Sequence, residues 1–224
     1  MNRTTTLTAM TVMILAVGTI AQAQEALDLA KMGAMMRRNQ EEIRQYTWNS
    51  TMTLLVDDQQ RRMDTFTVRI LPNGSVEKMQ TSSEVAKGKV RGPDGKKLSK
   101  KELEAAREFV LRVKDQLDGY LNPMFAEKAV KTSSVKREEG KIILESHDVM
   151  TTGDSVVITI RQATARPAAA DIRTAVDGSP VSLEVMFDSI EHGPNYPSRS
   201  VTTGTWNGMK VTIVAENSNY KLNG

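Results

Sequence analysis

The chain has 224 residues, a formal charge of +3 from 30 basic and 27 acidic side chains, 4% aromatic residues and no cysteine. So even a charge balance with so few aromatics excludes the basic face and stacking platforms of a nucleic-acid binder, and the lack of cysteine excludes disulfides, thiolate metal sites and cysteine-linked lipid. About 200 residues are enough for one domain that buries on the order of 70% of its unfolded surface.

The first 23 residues read as an export signal. Arg3 supplies a charged start, LTAMTVMILAVGTI an apolar middle, and Ala21-Gln22-Ala23 a small-x-small cleavage site. That apolar run is shorter than the roughly 20 residues a membrane-spanning helix needs. The expected arrangement is a signal peptide over 1–23, cleaved near Ala23, and a single domain over 24–224 that is periplasmic or otherwise exported. Without Arg3 the mature chain holds 29 basic against 27 acidic residues.

From Glu25 to about Gln45, Leu29, Met32, Met36 and Ile43, with Met35 alongside, recur at helical steps among arginines and glutamates. This predicts an amphipathic helix. The period then drops to two: Trp48, Met52, Leu54 and Val56 alternate with Thr47, Asn49, Thr51 and Thr53 in a strand over 47–56. A second strand over 64–71 carries Phe66, Val68 and Ile70, with DDQQRR as the turn before it and PNGS as the turn after it, leading into a third strand near 76–81. Residues 82–98 form a basic loop containing Lys87, Lys89, Arg91, Lys96 and Lys97. It reads as a solvated connection, the alternative being a contact for anionic headgroups or an acidic partner.

Ser99 and Glu102 have the capping-box spacing. They open a second helix striped by Leu103, Ala106, Val110, Val113, Leu117 and Tyr120, which stops between Gly119 and Pro123. PMFAEKAVK reads as one or two further helical turns. From 132 onward only strands are expected: 141–148, 155–162, 171–176, 181–188, 199–206 and 209–216, the last pair joined by the hairpin signal Asn207-Gly208. The fold class is therefore α+β, a curved antiparallel sheet with two main helices packed on one side.

Chemistry has few candidates. The two histidines, His147 and His192, lack the helical spacing that pre-places zinc ligands. His147 beside Asp148, with Asp154 nearby, is the one arrangement that could serve a hydrolase, but there is no Gly-x-Ser-x-Gly elbow and no phosphate loop. The expectation is a protein that is not an enzyme and uses no metal or cofactor. Ten of 13 methionines lie beyond residue 23. Their adaptable thioethers suit either plain core packing or a plastic apolar site.

The segments NQEEIRQYTW, LPNGSVEKMQ, RGPDGKK, LDGYLNP, TTGDSVVITI, DGSPVSLEVMF and GMKVTIVAENSNYKL together resemble a family of exported bacterial proteins with a lipoprotein-carrier-like (LolA-like) fold. The likeness spans nearly all of the mature chain. It implies an unclosed half-barrel whose concave face is apolar and covered by helices, used to shelter the lipid chains of lipoproteins or to sense envelope signals. The expected function is binding of a hydrophobic ligand such as an acyl chain, lipid or lipoprotein by a monomer. The competing reading is an envelope protein-interaction module with a filled interior. The lining expected from the apolar stripes is Trp48, Met52, Leu54, Phe66 and Val68 from the first strands, with Met32, Met36, Val113 and Leu117 from the helices.

Overall fold

The structure is a computed structural model that describes residues 34–223 except 36, 40, 73, 89, 121–127, 130 and 131. The expected signal over 1–23 and the two expected lining residues Met32 and Met36 lie outside the described residues. Of the first helix, residues 34, 35, 37–39 and 41–43 are described, and all are helical.

Ten strands form one antiparallel sheet: β1 (Tyr46–Val56), β2 (Gln59–Ile70), β3 (Val76–Val85), β4 (Ser134–Glu138), β5 (Lys141–His147), β6 (Ser155–Arg161), β7 (Arg166–Val176), β8 (Ser179–Ser189), β9 (Asn195–Trp206) and β10 (Met209–Leu222). Their spatial order is β3-β2-β1-β10-β9-β8-β7-β6-β5-β4. Strands consecutive in the chain are neighbours in the sheet except β3 and β4, and the one neighbouring pair that is not consecutive is the seam between β1 and β10. The sheet is unclosed, with β3 and β4 as its two edges. The turns follow from their residues: Asp177-Gly178 and Asn207-Gly208 both place two successive residues at positive φ, as the tight hairpin that matches strand twist demands.

Between the edge strands runs the long helix Lys100–Tyr120. Its start is the predicted capping box, with the Glu102 amide donating to Ser99 Oγ at 3.2 Å and the Ser99 amide donating to Glu102 Oε2 at 2.7 Å. Hydrogen bonds from the Ser99 side chain and amide hold the Glu102 carboxyl below its ordinary range. At 1.5 Å per residue the helix is about 30 Å long, enough to cross about six strands spaced about 4.8 Å apart. It does cross them. Phe109 lies over Gly204 of β9 and beside Val181 of β8, and Gln116 donates to Thr174 Oγ1 of β7 at 2.9 Å. Tyr120 reaches Asp154 just before β6, at 2.7 Å.

The helix stripe Phe109, Val113, Leu117 and Tyr120 is buried, and so are the facing side chains Leu144, Val156, Ile172, Val181, Leu183 and Trp206. The main core is thus the layer between the long helix and strands β5 to β10. The three strands β1 to β3 extend past this cover: β1 is mostly half-buried and β3 is exposed at all ten positions.

Several elements are longer than expected from the sequence. β7 begins at Arg166 and β9 at Asn195, several residues before their predicted starts, and each takes in a proline. Register shifts occur where β6 meets Pro167 and where β8 meets Pro197, and at such bulges a missing amide donor is tolerated. β4 is an added strand, a polar edge paired only with β5.

Candidate functional site

The long helix covers one end of β6, β7 and β8 and stops at Tyr120. Beyond it, the far ends of the same strands are faced by the first helical segment. Between these parts lies a cavity of about 560 Å³, within the range of roughly 300–1,000 Å³ usual for small-molecule sites.

Its floor is apolar and comes from the strands. Val156 and Ile158 of β6, Ala170 and Ile172 of β7, and Val185 and Phe187 of β8 line it. The registers Val156↔Ile172, Ile158↔Ala170, Ala170↔Val185 and Ile172↔Leu183 put these side chains on the helix-facing side of the sheet. This is the alternation that makes one face of an antiparallel sheet greasy. The opposite wall is Met35, Arg38, Asn39 and Glu42 of the helical segment, and the rim is closed by Arg166, Pro167, His192 and Asn195.

A two-bond clasp fixes the segment over the floor. Asn39 Nδ2 donates to the Asn195 carbonyl at 2.7 Å, and the Asn195 amide donates to Asn39 Oδ1 at 2.6 Å. Asn195 is buried. Its own side chain donates to the Pro167 carbonyl at 3.0 Å and accepts from Ser189 Oγ at 3.0 Å. The first helix, the start of β7, the end of β8 and the start of β9 are therefore joined through one asparagine.

At the other end of the cavity Tyr120 donates to Asp154 Oδ2 at 2.7 Å. The Asp154 carboxylate also accepts from the amides of Val149, Met150 and Thr151 at 2.7, 2.9 and 3.0 Å. Burial opposes its ionisation, yet the three amides and the tyrosine hydroxyl outweigh that and hold the carboxyl below its ordinary range. Burial pushes the Tyr120 hydroxyl up, and the neighbouring Asp154 charge adds to that. This buried cluster ends the long helix and anchors the β5–β6 turn.

The expected lining residues fall elsewhere. Trp48, Met52, Leu54, Phe66 and Val68 share one face of β1 and β2, as the registers Trp48↔Val68, Ser50↔Phe66, Met52↔Asp64 and Leu54↔Arg62 require. That face is mixed, since Arg62 Nε and Asp64 Oδ2 pair on it at 2.7 Å. Trp48 stacks on Tyr220 with ring centroids 5.3 Å apart, and Leu54 packs at the margin of the core. Val113 and Leu117 are buried in the core under the long helix. None of these seven lines the cavity. The residues that do were legible as strand-face apolar positions, but no local signal marked where their helical cover stops.

The His147 arrangement does not assemble a reactive site. Asp148 Oδ1 accepts from the Gly153 amide at 2.6 Å, Asp154 is taken up by the turn, and His147 is exposed beside Glu145 at 3.4 Å. Among the described residues there is no cluster of three acidic, histidine or cysteine side chains able to hold a metal ion.

No protein-family model and no curated protein matches the chain. Solved structures to which it is similar include a LolA superfamily protein from Nitrosomonas europaea, at 15% identity and a TM-score of 0.34, covering 84% of this chain and 92% of that one. Others are a DUF1329 family protein from Desulfovibrio piger (12%, TM-score 0.45, 87% and 92% covered) and a domain described as an outer membrane lipoprotein-sorting protein from Vibrio parahaemolyticus (8%, TM-score 0.40, 87% and 93% covered). At these identities and TM-scores the likeness assigns neither a family nor an activity.

Proposed function

We propose that the protein is an exported, non-enzymatic binder of a hydrophobic ligand, an acyl chain or a lipid-bearing molecule. The observation that carries this reading is the cavity of about 560 Å³ with a floor of Val156, Ile158, Ala170, Ile172, Val185 and Phe187 under a polar clasp. Apolar surface removed from water there contributes about 0.8 kcal/mol per methylene, so one chain supplies enough for reversible capture. Lipid handling is also what the sequence resemblance implies.

Two measurements test it. Lipid is extracted from natively purified protein and identified by mass spectrometry, and the melting temperature is followed as fatty acids are added. A ligand at 100 times its Kd stabilises by about 2.7 kcal/mol. Ala170→Phe places a ring on the cavity floor; the variant is expected to fold and to lose both the recovered lipid and the thermal shift. A wild-type protein that yields no lipid and shows no shift, or an Ala170→Phe variant that binds normally, refutes the reading.

One observation favours the alternative of a protein-interaction module. The edge strand β3 pairs only with β2 and exposes Val76, Met79 and Val85, a row of open backbone groups of the kind to which a partner strand can add. Crosslinking from positions 76–85 in envelope extracts, followed by identification of the captured chain, decides for or against it.

A further inference from the structure

We propose that the cavity takes a single-chain amphiphile with an anionic head, carboxylate or phosphate, and that Arg166 at the rim binds that head. This rests on the hydrophobic-ligand reading above and narrows it.

The charges of the lining carry the argument. Apart from His192, the ionisable side chains in the lining with a charged form at neutral pH are Arg38, Glu42 and Arg166. Arg38 is already answered, because its Nε donates to Glu42 Oε1 at 2.8 Å one helical turn away. Arg166 has no ion pair and no side-chain hydrogen bond among the described residues.

Its surroundings add positive charge. Arg166 pairs directly across the β6–β7 hairpin with Arg161, a juxtaposition of like charges that is unfavourable in a sheet. The Arg161 guanidinium is held by neutral acceptors, the Phe187 carbonyl at 3.3 Å and the Pro167 carbonyl at 3.5 Å, and it too has no carboxylate partner among the described residues. Arg166 therefore lines an apolar cavity without an ion-pair partner among the described residues, while its cross-strand neighbour Arg161 lies outside the lining. A guanidinium fork such as that of Arg166 matches a carboxylate or phosphate through two parallel hydrogen bonds.

The volume limits the tail. At about 30 Å³ per methylene, taken as close to the share of one water, the cavity accepts one chain of ordinary length. It does not accept several side by side.

The test compares four sixteen-carbon probes below their critical micelle concentrations: hexadecanoate, hexadecyl phosphate, hexadecanol and hexadecylamine. Binding is measured by displacement of an apolar fluorophore from the wild type, Arg166→Gln and Arg166→Lys. The wild type is expected to bind at least one anion about tenfold more tightly than the alcohol, and the amine most weakly. Preference for the carboxylate alone names a fatty acid as the source, and preference for the phosphate alone names a phospholipid-type head. Arg166→Gln should bring the anions to the level of the alcohol without changing the alcohol, while Arg166→Lys should keep part of the preference. Melting temperatures of the three proteins establish that each is folded. The head-group assignment is overturned if the alcohol binds the wild type as well as both anions do, or if Arg166→Gln weakens all four probes equally. If none of the four binds, the hydrophobic-ligand reading falls with it.

Discussion

Asp154 shows how a single side chain ties the long helix to the sheet. It is nearly inaccessible, at 1% exposure, and its carboxylate serves four donors. Because its folded carboxyl titrates below the ordinary aspartate range, the stabilisation it contributes is fully present above about pH 4 and is lost as the pH falls through the lower folded value. Asp154→Asn keeps the shape, removes the charge and presents an amide to donors. The expected cost at pH 7 is on the order of 3 kcal/mol, since hydrogen bonds to charged groups are worth about 1.5–3 kcal/mol each. Urea unfolding of both proteins at pH 7 and pH 2.5 checks this: the gap should shrink at the acid end, and an equal gap at both values would contradict the assignment. The clasp predicts a more local effect. Asn39→Ala should leave the urea midpoint nearly unchanged while speeding proteolysis within residues 34–43, because only the hold on Asn195 is removed.

For the long helix, the two faces are energetically distinct. Phe109 is buried against Gly204 and Val181, whereas Leu111, two residues on, is 58% exposed. Phe109→Ala is expected to cost about 3–5 kcal/mol, and Leu111→Ala to stay within about 0.5 kcal/mol, both measured by denaturant unfolding. Similar losses for the two would mean that the helix packs differently. This helix was readable in the sequence from its cap and its three- and four-residue stripe, as were the hairpin at Asn207-Gly208 and most strands from their alternation. The early parts of β7 and β9 were not, because Pro167, Ala168, Ala169 and Pro197 lack strand propensity and are accommodated by bulges that depend on the neighbouring strand. β4 was missed for a related reason, since SVKRE is polar and its pairing, not its pattern, makes it a strand. The candidate site was least readable. Val156, Ile158, Ile172 and Val185 look like any core alternation, and the cavity above some of them depends on a helix length and a long-range Asn39–Asn195 contact that no local pattern encodes.

Across the whole molecule, the protein divides into a covered part and an uncovered wing. Strands β5 to β10 share the core with the long helix, while β3 is an edge with every residue exposed. Native-state hydrogen exchange should therefore show β3 amides exchanging first, β1 and β2 at intermediate rates and β6 to β9 last; equal protection of β3 and β8 would rule out this division. The wing joins the rest of the sheet through the seam of β1 with β10, which runs from Tyr46↔Leu222 to Val56↔Val211. Those partners are separated by most of the polypeptide, so a ribosome delivers the first three strands long before the one they need. Until Met209 and the residues after it emerge, the early trio has nothing to zip onto, and contacts of such large sequence separation form slowly. Assembly of the complete sheet must therefore wait until β10 has been made, which leaves an interval in which the first three strands stand without their partner.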